Sequence, residues 1–351
     1  MGAGAPVGGS LSVYSGGVPA KVAVIGAGSW GTVFATLVCT KVPTMLWARR
    51  PELADEIAAT HRNSRYLAEV CLPAGLGATA SLEEAVDGAE LVVMAVPSHG
   101  FRSVLTAAEP WLPAGVPVIS LAKGVEQRSL KRMTEVVAEV APGRPAGVLT
   151  GPNLAGEIMA GSPAASVIAV GDEALALELQ HLFSTDGFRV YTNPDVVGCE
   201  VAGAVKNVMA IACGMSDGMG LGDNARAALI TRGLAELSRL GIALGGQPAT
   251  FSGLAGIGDL VVTCMSGRSR NRYVGEQLGK GRSIDDIVAG TVMVAEGVKT
   301  SPAVLDLAAT VGAEMPIAEQ VVAVLSGETR AEEAIPALML RESKPELQVQ
   351  P

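Results

Sequence analysis

Lys21-Val-Ala-Val-Ile-Gly26-Ala-Gly28-Ser-Trp-Gly31 is a short apolar run that passes directly into glycines spaced G-x-G-x-x-G. The run is continuous rather than alternating, as a strand buried on both faces should be. An Ala- and Val-rich stretch with helical character follows to Thr40. The three glycines do different things. Gly26 permits a tight turn, Gly28 lets backbone approach a pyrophosphate, and Gly31 lets helix pack close to strand. A diphosphate would rest on the helix N-terminus, where free N–H groups and the helix dipole favour negative charge. The motif alone is weak evidence; the strand before it and the helix after it supply the context it needs.

Outward from this turn, apolar runs at 44–48, 89–96, 117–121, 147–150 and 166–170 alternate with helical stretches at 31–40, 51–63, 81–88, 98–112 and 130–140. That alternation implies a parallel, doubly wound α/β sheet with helices on both faces. Strand-like runs nearly vanish after about Val196, and stretches at 197–216, 224–244, 272–279, 284–289, 302–311 and 318–326 read as helices. The turn signal Asn193-Pro194 marks the change. The expected organisation is a disordered leader at 1–20, a dinucleotide-binding Rossmann domain at 21–195, a mostly α-helical substrate domain at 196–340 and a polar tail at 341–351.

The chain has 351 residues, 35 acids against 26 bases, and a net charge of -9. No basic footprint of a nucleic-acid binder is present, so a bound anion needs a local positive site. Hydrophobic residues are 49% but aromatics only 3%, so the core must be built from Ala, Val, Leu and Ile. The five cysteines (Cys39, Cys71, Cys199, Cys213 and Cys264) are odd in number and widely spaced. They read as small buried hydrophobes in a reduced, cytoplasmic protein, not as disulfides or a zinc site. His61, His99 and His181 have no companion at metal-ligand or triad spacing, so no metal is expected. The Gly-rich leader lacks a basic start and an apolar stretch, and no run of 18 or more apolar residues predicts a membrane span.

The second strand ends at Leu46-Trp-Ala-Arg49-Arg50. An NAD-selective site carries an acid there, about 20 residues past the glycine turn, to grip the ribose 2′-OH. Arginine instead binds a 2′-phosphate bidentately, which points to NADP(H) as the preferred cofactor, with NAD(H) also possible. The alternative is that these arginines stack on adenine or face water. Carbonyl reduction also needs a proton donor. Lysine serves if burial or a neighbouring cation lowers its pKa. Lys123 follows the run Val118–Leu121, at the crevice edge, and Lys206 lies on a helix with Cys199, Gly203, Ala210 and Cys213 on its face. So apolar a setting predicts a buried, functional Lys206; snorkelling to solvent is the alternative. Asp259 closes the Gly-rich segment 253–258, where it is either functional or a cap. Ser266–Arg272 places three arginines within five residues and suits a phosphate dianion. Glu296, unaided, reads as a cap or a surface residue.

Taken together, Gly26-Ala-Gly-Ser-Trp-Gly-Thr32, Ala95-Val-Pro-Ser98, Ala122-Lys-Gly124, Gly151-Pro152, Ala204-Val-Lys-Asn207, Gly256-Ile-Gly-Asp-Leu260, Ser269-Arg-Asn-Arg272 and Val294-Ala-Glu-Gly297 resemble the bacterial-type NAD(P)-dependent sn-glycerol-3-phosphate dehydrogenase family. The resemblance runs in order from about Val22 to about Ser326. It implies a Rossmann-type N-terminal domain, a helical partner domain, and reversible reduction of dihydroxyacetone phosphate that feeds phospholipid synthesis; a homodimer is expected, with the helical half supplying its face. It implies further that Lys206 is the proton acceptor, with Lys123 and Asp259 beside it. Substrate contacts fall to Lys123, Gly151, Asn153, Lys206, Asp259, Ser269, Arg270 and Asn271. Cofactor contacts fall to Ser29, Trp30, Arg49, Arg50, Lys123, Ala155, Arg270, Val294 and Glu296, besides Gly26, Gly28 and Gly31. Asn153 departs from the Ser or Thr often found there, though Asn still donates a hydrogen bond. Two rivals have the same turn. A two-domain hydroxy- or keto-acid reductase would use Arg270 for a carboxylate. A non-catalytic NADPH sensor would have no need of Lys206 and Asp259 together.

Overall fold

The computed structural model describes residues 19–290 and 295–340. Most of the expected leader, the whole tail and Val294 lie outside the described residues. The strands are β1 (Val22–Ile25), β2 (Thr44–Trp47), β3 (Arg62–Asn63), β4 (Leu67–Cys71), β5 (Leu76–Thr79), β6 (Leu91–Met94), β7 (Val118–Ser120), β8 (Ala146–Thr150), β9 (Ala164–Val170) and β10 (Phe188–Asn193). Helices α1 (Ser29–Cys39), α2 (Pro51–Thr60), α3 (Leu82–Val86), α4 (Ser98–Ala108), α5 (Met133–Val140), α6 (Ala155–Met159) and α7 (Glu173–Phe183) alternate with them. Then follow α8 (Val196–Gly218), α9 (Gly222–Ala243), α10 (Pro248–Phe251), α11 (Asp259–Met265), α12 (Arg270–Gly279), α13 (Ile284–Ala289), α14 (Glu296–Thr310), α15 (Pro316–Ser326) and α16 (Ala331–Met339).

Eight strands form one sheet in the order β10-β9-β8-β7-β6-β1-β2-β5, with β3 and β4 as a separate hairpin. β1 and β6 are buried along their whole length, as their unbroken apolar runs require. The chain moves outward from β1 to β2 on one side and to β6 on the other, so the crevice above β1 is the switch point where such sheets bind ligands.

The sheet corrects the expectation of uniformly parallel strands, because β9 runs antiparallel to β8 and carries β10 with it. The link between β8 and β9 contains only the five-residue α6. Within the thirteen residues that separate the two strands, the chain turns back beside β8 instead of crossing a face of the sheet. The helix expected over 51–63 stops at Thr60, because His61 adopts a left-handed conformation (φ 52°) and Arg62–Asn63 pairs in the hairpin. The helix expected from 130 begins at Met133, since Leu130 is also left-handed (φ 59°). The helix expected from Pro302 begins at Glu296 and runs through the proline. β3, β4, β5, β10, α6, α7, α10, α11 and α16 are additional to the elements expected from sequence.

α8 is the axis of the helical half. Its residues from Gly198 to Ser216 are buried, which explains why it is apolar on every side. It and the stretch Pro248–Met265 are long and apolar enough to cross a membrane by length and composition, yet 89% of the first window is buried inside the protein. Small residues let α12 lie directly on α8: a Cβ added at Gly275 would sit 2.0 Å from the Ile211 carbonyl oxygen, and one at Gly214 would sit 2.0 Å from that of Arg272. Three cysteines are buried as expected, but Cys71 is exposed on the hairpin and Cys39 half-buried.

Candidate active site

The glycine turn joins β1 to α1. Gly26 has φ +124°, and a Cβ there would lie 2.6 Å from the Ala95 carbonyl oxygen, so side chains are excluded by both backbone and space. A Cβ on Gly31 would meet the Gly26 carbonyl oxygen at 2.0 Å. Gly28 is different: nothing lies within 4 Å of a Cβ built there. It occupies the N-cap of α1 without a side-chain cap, so the turn offers an open backbone cradle with uncapped N–H groups, which fits a diphosphate. Asn63 holds the cradle from beneath, donating to the Ala27 carbonyl at 3.0 Å and the Thr32 hydroxyl at 2.8 Å. Trp30 packs its indole against Phe34 and Phe188, so its backbone is the part available to a ligand on the turn. Ser29 donates to the Tyr66 carbonyl at 3.4 Å. Arg49 and Arg50 follow β2 and are exposed.

Across the crevice, α8 delivers Lys206 to a buried cluster. Its ammonium donates to Asp259 Oδ1 at 2.5 Å and to Thr263 Oγ1 at 2.8 Å. Lys123, just past β7, donates to Asp259 Oδ2 and to the Gly151 carbonyl, both at 2.7 Å. Lys206 is 5% exposed and Asp259 1%, so these charges interact with little solvent screening. Burial lowers the Lys206 ammonium, Asp259 pulls it back up, and Lys123 pushes it down again; the result is a pKa of about 8. Burial would raise the Asp259 carboxyl, but the two lysines outweigh it and hold the group below its ordinary value. The sequence left open whether Lys123 or Asp259 would dominate; desolvation, the larger effect, decides the direction.

An amide relay ties this cluster to the arginine loop. Asn207 donates to the Lys123 carbonyl at 2.9 Å, Asn271 donates to Asn207 Oδ1 at 2.8 Å, and the Gly297 amide donates to Asn271 Oδ1 at 2.9 Å. The relay links the starts of α12 and α14 to the middle of α8 and holds all three in register. Ser269 caps α12, its Oγ accepting from the Arg272 amide at 3.3 Å, which leaves its hydroxyl hydrogen free to donate. Arg270 is exposed. Glu296 is half-buried; burial raises its carboxyl, while Arg270, Lys123 and Lys206 all oppose that rise. One carboxylate thus lies within electrostatic reach of both Arg270 and Lys206.

Gly151 (φ +131°) and Asn153 lie in the loop after β8. Asn153 donates to Ser166 Oγ at 3.1 Å, and its own Oδ1 is buried without a partner among the described residues, as is Thr150 Oγ1. Ala155 opens α6 nearby. Sequence reasoning missed Asn63 beneath the glycine turn and two residues of the helical half. Thr263 lies one turn along α11 from Asp259, a spacing visible only once α11 is known to be a helix. Glu200, buried on α8, accepts from Arg132 Nη1 at 2.7 Å and from the Thr134 amide at 2.9 Å and hydroxyl at 2.6 Å. That contact ties the first turn of α5 to α8 and fixes the helix that carries Lys206. Among the described residues no group of His, Cys, Asp and Glu is placed to hold a metal.

A glycine turn at the switch point of a doubly wound sheet, facing a lysine–aspartate pair on a helical domain, defines a two-domain dinucleotide-dependent dehydrogenase. Residues 21–176 match the family described as NAD-dependent glycerol-3-phosphate dehydrogenase N-terminus, and residues 195–336 match its C-terminus. A glycerol-3-phosphate dehydrogenase [NAD(P)+] of Sphingopyxis alaskensis is 55% identical over 91% of this chain and 96% of its own. One from Mycobacterium avium is 52% identical over 91% and 94%. The crystal structure of glycerol-3-phosphate dehydrogenase from Coxiella burnetii superposes with a TM-score of 0.90 at 37% identity, covering 93% of this chain and 100% of that one. The chain belongs to the NAD-dependent glycerol-3-phosphate dehydrogenase family.

Proposed function

We propose that the protein catalyses the reversible reduction of dihydroxyacetone phosphate to sn-glycerol 3-phosphate, as a cytoplasmic homodimer supplying phospholipid synthesis, with NADPH preferred and NADH accepted. The observation that carries this reading is the buried Lys206–Asp259–Lys123 cluster beside an arginine-led helix start. A bound nicotinamide dinucleotide supplies hydride transfer to or from the central substrate carbon.

The chain's own residues do the rest. The Gly26–Gly31 turn binds the diphosphate, and Ala155 and Glu296 belong to the cofactor wall. Arg270, Ser269 and Asn271 take the substrate phosphate, with guanidinium, hydroxyl and remaining amide hydrogens as donors. Asn153 and Gly151 orient the hydroxyl end. Lys206 donates a proton to the developing alkoxide oxygen and recovers it in reverse. Asp259 aims the ammonium and keeps it charged near neutrality; Lys123 polarises the same oxygen and prevents the ammonium from becoming too weak an acid. The test is to follow the near-ultraviolet absorbance of NADPH, then NADH, on adding dihydroxyacetone phosphate. Rapid loss is expected; no oxidation with this triose, or faster oxidation with a short keto acid, overturns the reading.

A further inference from the structure

We propose that His99 and Lys299, from the two halves of the chain, join Arg49 to form the site for the adenosine 2′-phosphate of NADPH. This deepens the cofactor reading above and rests on it. In the sheet order β6-β1-β2 the carboxyl ends of β2 and β6 flank the glycine turn. Arg49 follows β2, and His99 stands in the first turn of α4, just after β6. Lys299 stands in the first turn of α14, and two contacts place that turn, one to the segment after β7 and one beside the start of α4. Gln127 Nε2 donates to the Lys299 carbonyl at 3.0 Å. A Cβ added at Gly124 would lie 2.5 Å from Ser98 Oγ and 2.8 Å from Thr300 Oγ1, so the neighbours of His99 and Lys299 pack against one residue.

The charges agree with that placement. Partial desolvation lowers the His99 imidazole, and Lys299 and Arg49 lower it further, so His99 lies within electrostatic reach of both. Arg49, His99 and Lys299 are exposed, and their side chains have no hydrogen-bond or ion-pair partner among the described residues. Arg102, Arg132, Arg226 and Arg272, by contrast, pair with carboxylates. Two cations flanking an imidazole with no acid beside them favour a bound anion, and that anion in turn favours protonation of the imidazole. The end of β2 is where the ribose 2′ position falls, so the dianion that fits is a 2′-phosphate.

The experiment measures equilibrium binding of NADPH, NADH and adenosine 2′-phosphate to the full chain, without substrate, for the wild type, Lys299→Gln, Lys299→Arg and His99→Ala. Lys299→Gln is expected to weaken NADPH and adenosine 2′-phosphate by about fivefold, the effect of one exposed ion pair, with NADH changed by less than about twofold on the same scale. Lys299→Arg should restore NADPH affinity, and His99→Ala should weaken NADPH selectively. Equal weakening of NADPH and NADH, or no weakening of either, overturns the proposal. Selective loss of NADPH in a chain that fails to turn over the triose sinks only the substrate reading. Failure of the wild type to bind either nucleotide overturns both.

Discussion

Replacing Asp259 by Asn removes one charge and almost no volume from the buried cluster. Asp259 accepts from Lys206 at 2.5 Å and from Lys123 at 2.7 Å. In the variant, the amide end of the side chain presents donors to an ammonium that already donates. At an effective dielectric of about 20 and a charge separation of roughly 4 Å, the lost attraction is about 4 kcal/mol. At 1.36 kcal/mol per pKa unit, roughly, that carries the Lys206 ammonium from about 8 to about 5. The wild-type group is then about nine-tenths protonated at neutrality and the variant's only about a hundredth. Reduction requires the charged form, so kcat/KM for dihydroxyacetone phosphate should fall about a hundredfold. The sign is set by the direction of proton transfer. In the wild type, reduction declines as pH rises through about 8, while oxidation of glycerol 3-phosphate, which needs the neutral amine, gains over the same range. In the variant the reductive limb should move to lower pH. Breaking a buried pair also costs about 3–5 kcal/mol of stability, so folding is checked by circular dichroism before the kinetics. A folded Asp259→Asn protein whose reductive limb still falls near pH 8 would refute the assignment of that limb to Lys206 held by Asp259.

Lys206→Ala should lose about two to four orders of magnitude in kcat while retaining dinucleotide affinity, measured by fluorescence titration; near-normal turnover would defeat the proton-donor role. Arg270→Ala should raise KM for dihydroxyacetone phosphate about tenfold or more, with a smaller change in kcat; an unaltered KM would count against phosphate binding. The double variant Arg49→Ala, Arg50→Ala should lower the NADPH-to-NADH preference in steady-state kinetics, and an unchanged ratio would remove the 2′-phosphate argument. Gly275→Ala forces a methyl to within 2.0 Å of the Ile211 carbonyl oxygen. Overpacking of this kind costs about 1–3 kcal/mol or more, so thermal unfolding should move several degrees lower; an unchanged melting curve would mean that α8 and α12 are not held at the separation described.

The glycine turn was legible from sequence because its main requirements are local: positive φ at Gly26, and a Gly31 Cβ that would strike the Gly26 carbonyl; the Ala95 backbone above Gly26 only adds to them. Lys206 was legible for a related reason, since a charge on a helix that is apolar on every side has no route to water. Other features depended on what lay across the fold. The reversal of β9 is a matter of how the chain turns back beside β8, and nothing in its apolar composition encodes direction. Helix ends at His61 and Leu130 are set by left-handed residues that propensity disfavours. The pKa of Lys206 could not be signed from sequence, because it is a sum of burial and two opposing charges whose distances exist only after folding. The same holds for Thr263, Asn63, Glu200 and the convergence of Arg49, His99 and Lys299. Residue type and local spacing, set by short-range sterics, were enough to fix the turn and name its chemistry. Which side chains meet, and with what net charge balance, was decided by tertiary packing, because Coulomb and desolvation energies depend on separations that chain order does not specify.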